Sequence, residues 1–183
     1  RCQIGIVEVP AAHAVSADIV LSGDRGDVDL RTTSGDIRIG RAAAVEITTV
    51  SGDSRIDRVA DTRVKSVSGD LTATAVQRLV ATSASGDLRI GEVTGDATIG
   101  TTSGDLDIDR FDGTTIAVKS VSGDVRLGLP PGIRVEPDIA TISGRTELPA
   151  PAPAGSAPVD EPRRVVRVEL RTVSGNIILR RAG

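Results

Sequence analysis

The chain has 183 residues, the length of one ordinary domain, with a net charge of −3 and no basic surface suited to nucleic acid or anionic lipid. Phe111 is the sole aromatic residue and Trp, Tyr and Met are absent, which removes the stacking platforms of single-strand nucleic-acid binders and the largest core-filling side chains. Cys2 is the lone cysteine, so no intrachain disulfide forms, and no apolar run approaches the roughly 18 residues of a membrane span. Arg1 before Cys2 does not fit a lipoprotein cleavage site, so Cys2 reads as an ordinary free thiol. The chain opens on Arg with no visible secretory signal, so an upstream segment is expected and the location stays open between cytoplasm and cell envelope. Only Lys65 and Lys119 are lysine; arginine, with much Ala, Gly and Asp, gives the composition of a high-GC bacterial genome.

Residues 1–30 hold the first coils of a repeat. Ser16-Ala17-Asp18 is a degenerate copy of a motif that becomes regular at Ser34-Gly35-Asp36, and Val28, Leu30 and Thr32 lead into it with a period of two. The regular stretch, 31–148, carries glycine markers at Gly35, Gly52, Gly69, Gly86, Gly104, Gly123 and Gly144. After the Ser-Gly-Asp copies apolar residues tend to fall at the first and third positions, as in Ile37 and Ile39, Leu88 and Ile90, or Leu106 and Ile108. Before it the alternation repeats, as in Val45-Ile47-Thr49 or Ile116-Val118-Ser120. A second marker falls near the half-period: Gly26, Gly95, Gly113 and Gly132, with Asp61 and Arg78 at matching places. Residues 149–162, rich in proline and small residues, cannot join a ladder and read as an exposed, semi-rigid loop. Residues 163–183 resume the alternation and close on a terminal rung, "TVSGNIILRR", which the Pro-rich loop is placed to cover.

A period of two is the strand signature, with one face buried. A unit of about 17 residues holding two strands and two turns cannot bury its apolar face alone, so neighbouring units must stack. Constant length lets each strand pair with the same strand of the next unit. The expectation is a single all-β domain over 1–183: a right-handed parallel β-solenoid, two strands per coil, of about nine coils and about 40 Å. An antiparallel meander would satisfy the alternation but would not require so constant a period. Gly supplies the positive φ of a sharp corner, and Ser and Asp side chains bond nearby backbone groups there. The inward Thr/Ser column (Thr32, Thr49, Ser66, Ser83, Thr101 and their equivalents) is expected to form a hydroxyl ladder along the axis.

The corner aspartates Asp36, Asp53, Asp70, Asp87, Asp105 and Asp124 would then stack as a column of like charge, repelling by about 1 kcal/mol per adjacent pair even in water. Turn N–H groups, or Arg38, Arg55, Arg89 and Arg126 two residues on, are expected to offset this. A bound Ca²⁺ is the lesser alternative, because the chain lacks the glycine-rich nonapeptide of calcium β-rolls. His13, the only histidine, has no cysteine partner and reads as a surface residue. Arg25-Gly26-Asp27 spells an integrin-ligand tripeptide, to be expected by chance among so many Gly-Asp turns. No catalytic, cofactor-binding or metal-binding residue is assigned.

The rungs "VSGDVRLG" and "RTVSGNIILRR" resemble those of a bacterial adhesin-type β-strand-repeat family, an SGD-repeat domain of unknown function with many actinobacterial members. The likeness covers nearly the whole chain. It implies a solenoid-like β fold, no established activity and no functional residues to carry over. The expected role is a non-catalytic structural or interaction module, adhesin-like or envelope-associated, with no cofactor, no nucleic acid and a protein or cell-envelope partner. Alternatives are a bactofilin-like filament that self-associates through its ends and, less favoured, a Ca-stabilised β-roll.

Overall fold

Short alternating runs of Val, Ile and Leu between regularly spaced Gly corners bury their apolar side when each run lies beside its copy in the next unit. The computed structural model describes residues 11–16, 18–131, 133–148 and 165–182, with the backbone alone at Ala11, Ala12, Ala14 and 22–25. Cys2, Gly132, Arg163 and the Pro-rich 149–162 lie outside the described residues. In chain order the strands are β1 (Ala11–Ser16), β2 (Ile19–Ser34), β3 (Ile37–Thr49), β4 (Ser54–Ser68), β5 (Leu71–Ser85), β6 (Leu88–Val93), β7 (Ala97–Ser103), β8 (Leu106–Phe111), β9 (Thr115–Ser122), β10 (Val125–Leu129), β11 (Arg134–Ser143), β12 (Thr146–Glu147), β13 (Val165–Ser174) and β14 (Ile177–Arg181). The described residues contain no helix, and no helix is long and apolar enough to cross a membrane.

All pairings are parallel, and the fold is the expected parallel β-solenoid. On the face after the corner the register runs Ile19, Ile37, Ser54, Leu71, Leu88, Leu106, Val125 and Ile177, one residue per coil. On the face before it the register runs Val28, Val45, Thr62, Leu79, Ala97, Ile116 and Val168. These inward columns are buried and make one continuous core.

The half-turn differs from its sequence reading. The β3–β4 register runs through 37–39, 41–42 and 44–49, so a short paired bridge joins the two faces. The middle residue of that bridge points inward, and Val59, Val76, Val93 and Phe111 fill this edge of the core. The half-period marker is also offset by one residue. Gly95 stacks on Gln77, where a Cβ would meet the Gln77 carbonyl oxygen at 2.5 Å, while Asp61 and Arg78 form their own pair one position later.

Sequence order and spatial order part company near the end. The chain winds continuously for about six turns, from Ile19 to Asp124, and not for nine. Beyond that, β9 pairs with β13 and only β13 pairs with β11; likewise β10 pairs with β14, and β14 with β12. The segment expected to be the terminal rung is therefore slotted between two layers that precede it in the chain. Among the described residues the outermost layer is β11–β12. The Gly144-to-Gly175 step thus returns inward by one layer, after the Gly123-to-Gly144 step has skipped one.

Candidate functional site

The recurring corner is where charge, hydroxyls and backbone strain converge. The seven marker glycines Gly35 to Gly144 and Gly175 of the last rung have φ between 119° and 150°, a region L side chains rarely adopt. A Cβ on Gly69 would also collide with the carbonyl oxygen of Gly52 in the coil before. Stacked corners thus exclude every side chain at this position, for conformation and for contact.

The aspartate that follows has a defined task. Asp87 donates its backbone N–H to Oδ1 of Asp70 at 2.9 Å, Asp70 to Asp53 at 3.0 Å, Asp105 to Asp87 at 3.0 Å and Asp124 to Asp105 at 2.9 Å. The ladder reaches back through Asp53 and Asp36 to Asp18. In the other direction, the next residue's N–H bonds the carbonyl of the next coil's aspartate, as Leu71 does to Asp87 at 2.9 Å. The sharp turn takes the Asp N–H out of the regular strand ladder, and the neighbouring coil's carboxylate replaces the lost acceptor.

Arginines occupy much of the remaining carboxylate valence. Arg89 reaches Asp87 at 2.8 Å and Asp70 at 3.8 Å; Arg126 reaches Asp124 at 3.4 Å and Asp105 at 3.5 Å; Arg38 lies 3.6 Å from Asp36. Arg55, expected to do the same, forms no ion pair with a described residue. These pairs are exposed or, at Arg126, half-buried, and each contributes about 0–1 kcal/mol; their combined effect is to offset the column's self-repulsion.

Near the far end the ladder changes its chemistry. Asn176 donates its backbone N–H and Nδ2 to Asp124 Oδ1 at 2.8 and 3.1 Å, and its own Oδ1 accepts the Arg145 N–H at 3.1 Å. An amide both gives and accepts, so Asn176 continues the ladder without adding charge. Arg145 in the outermost layer has no carboxylate to offer a further coil.

The hydroxyl column differs from its expectation. Thr32, Thr49, Ser66, Ser83, Thr101, Ser120 and Thr172 do not bond one another along the axis. Each donates within its own coil to the carbonyl two residues on, as Ser83 Oγ does to Ser85 O at 3.0 Å. The axial hydroxyl contacts come from the corner serine, as in Ser51 Oγ to Thr33 O at 3.3 Å.

One Ser-Gly-Asp escaped the sequence reading. Ser22-Gly23-Asp24 lies inside β2, where the register with β3 shifts between Leu21 and Asp24. Its phase was the available signal: Gly23 stands only 12 residues before Gly35, too near to be a corner.

Two surface grooves lie away from the corners. One, of about 380 Å³, is lined by Asp27, Asp29, Glu46, Asp61, Arg63 and Arg78, with Arg78 held on Asp61 at 2.9 Å. The other, of about 440 Å³, follows the half-turn edge past Arg41, Arg58, Ala60, Ala75, Gln77 and Glu92. Among the described residues no group of three or more His, Cys, Asp or Glu side chains is placed to hold a metal ion. His13 stands on the surface, its Nε2 3.3 Å from Arg31 Nη1.

A parallel solenoid with stacked Ser-Gly-Asp corners is thus the class of protein that fold and site define. The family model of Toastrack DUF4097 matches residues 6–180, and the chain belongs to this family, a domain of unknown function. No curated protein and no solved structure matches it.

Proposed function

We propose that the chain is a non-catalytic structural and interaction module, adhesin-like or envelope-associated, that presents long regular sheet faces to a protein or cell-envelope component. The observation that supports this is the fate of the recurring carboxylates. From Asp36 to Asp124 each gives Oδ1 to the backbone of the next coil. A general acid or base needs a carboxylate set apart from its neighbours by environment, and here successive coils repeat one environment.

The test is a hydrolase screen on polysaccharide and ester substrates with the protein and its Asp53→Asn, Asp70→Asn and Asp87→Asn variants. No turnover is expected from any of them. Turnover abolished by one of these substitutions and not the others would overturn the reading.

End-to-end filament growth is opposed at the β11–β12 end. In a parallel ladder the N–H and C=O of one residue point to the same neighbour, and successive residues alternate. Arg167 N–H donates to Thr114 O at 2.9 Å, so Val168 points the other way, toward β11. Pro137, in register with Val168, must then point to the edge that no described strand covers. Proline removes a donor that an added strand would use, a recognised way to blunt an edge.

A further inference from the structure

We propose that two copies of this chain pair side by side, with their axes parallel, along the edge formed by the residue that precedes each Ser-Gly corner. This deepens the interaction-module reading by naming a partner and a surface. The edge is a column of outward side chains one coil apart. Val15, Val50, Val67, Val121, Val173 and Ile142 stand on it, each between 44% and 82% exposed. Thr33, Ala84 and Thr102 fill the intervening coils, all exposed, so no coil places a charge there. An apolar stripe running the length of a molecule that is 26% charged is a surface made for contact.

Charge on its two flanks selects the occupant. Two residues upstream runs a column whose only charged members are basic: Arg31, Lys65, Lys119 and Arg171. Lys65 and Lys119 are the chain's only lysines, and neither lies within ion-pair distance of a described carboxylate. Three residues downstream of the stripe runs the aspartate column of the corners. Over the coils that carry Arg31 to Asp124 the surface therefore reads basic, apolar, acidic across its width; in the last two layers the acidic column gives way to Asn176 and Arg145. A two-fold axis parallel to the stack reverses left and right but keeps height. It lays apolar on apolar and sets each basic column against the acidic column of the second copy. Lys65 then faces Asp70 of the second copy and Lys119 faces its Asp124. A perpendicular two-fold axis would oppose like columns, which electrostatics disfavours.

The dimensions suit a dimer. The nine stacked layers of this face at about 4.8 Å span about 38 Å, and the path from Lys65 round the corner to Asp70 is at most about 17 Å wide, so the stripe and its flanks offer at most about 650 Å² per copy. Specific interfaces bury about 600–1,000 Å² per partner.

Sedimentation equilibrium between about 1 and 200 μM tests the pairing. The expected result is a monomer–dimer equilibrium that weakens with salt. Dissociation should strengthen at least tenfold in a Val67→Asp/Val121→Asp variant, and likewise in Lys65→Glu/Lys119→Glu. Thermal melting of both variants checks that they remain folded, and the wild-type chain tests the proposal independently of them. Zero-length carbodiimide cross-linking of an equal mixture of ¹⁵N-labelled and unlabelled protein should yield inter-copy Lys65–Asp70 and Lys119–Asp124 peptides. A monomer at the highest concentration, a dimer indifferent to Val67→Asp/Val121→Asp, inter-copy Lys65–Asp124 peptides, or open-ended growth would each overturn it. None of these results would touch the hydrolase test above, so the two readings fail separately.

Discussion

Asp87 donates its backbone N–H to Oδ1 of Asp70 across the gap between two coils, at 2.9 Å. The bond depends on an acceptor oxygen and not on a negative charge, because Asn176 takes the same place in the stack and accepts the Arg145 N–H through its own Oδ1. Asp70→Asn should therefore change stability by less than about 0.5 kcal/mol, while Asp70→Ala, which leaves the Asp87 N–H without its acceptor, should cost about 1 kcal/mol. Urea midpoints at unchanged slope measure both. Equal losses would show that charge, and not the acceptor, is what the corner uses.

Val64 and Val67 sit three residues apart on one strand with opposite fates: Val64 is 3% exposed and Val67 53%. Val64→Asp buries an unpartnered charge in a thin core and should cost more than about 4 kcal/mol. Val67→Asp should stay within about 0.5 kcal/mol of the parent. Similar losses at both sites in a thermal melt would contradict the register.

Thr62 interrupts an apolar column between Val45 and Leu79, and its Oγ1 is buried without a hydrogen-bond partner. Thr62→Val keeps the shape and removes an unsatisfied hydroxyl, so it should raise stability by about 1 kcal/mol. A lower denaturation midpoint would show that the hydroxyl is satisfied in solution.

Pro137 and Arg145 both weaken the outer edge as a template. Restoring a donor and a carboxylate with Pro137→Val and Arg145→Asp should promote end-to-end association, read as concentration-dependent light scattering. Unchanged scattering would place the block elsewhere.

Much of this molecule was legible in the sequence. The inward residues followed from a period of two held in phase from coil to coil. The corners followed from glycine, since nothing else tolerates both the positive φ and the contact with the stacked glycine before it. Ser22-Gly23-Asp24 shows the limit of the motif, because phase and not spelling makes a corner.

What the tertiary structure alone decided is the order of the last layers and the direction of the corner bonds. The alternating pattern of Val166, Val168 and Leu170 fits any layer of a parallel stack equally well, since every layer offers the same backbone edge. Its choice of the slot between β9 and β11 depends on contacts far apart in the chain. Local signs of the outcome were present in Pro137, and in Arg145 standing where every other corner has Asp or Asn, yet each acquires its meaning only once the edge it faces is known. The hydroxyls and carboxylates likewise have several acceptors or donors within reach on an extended chain. Which one each takes is set by the distance between stacked coils, a property of the assembled solenoid and not of any single repeat.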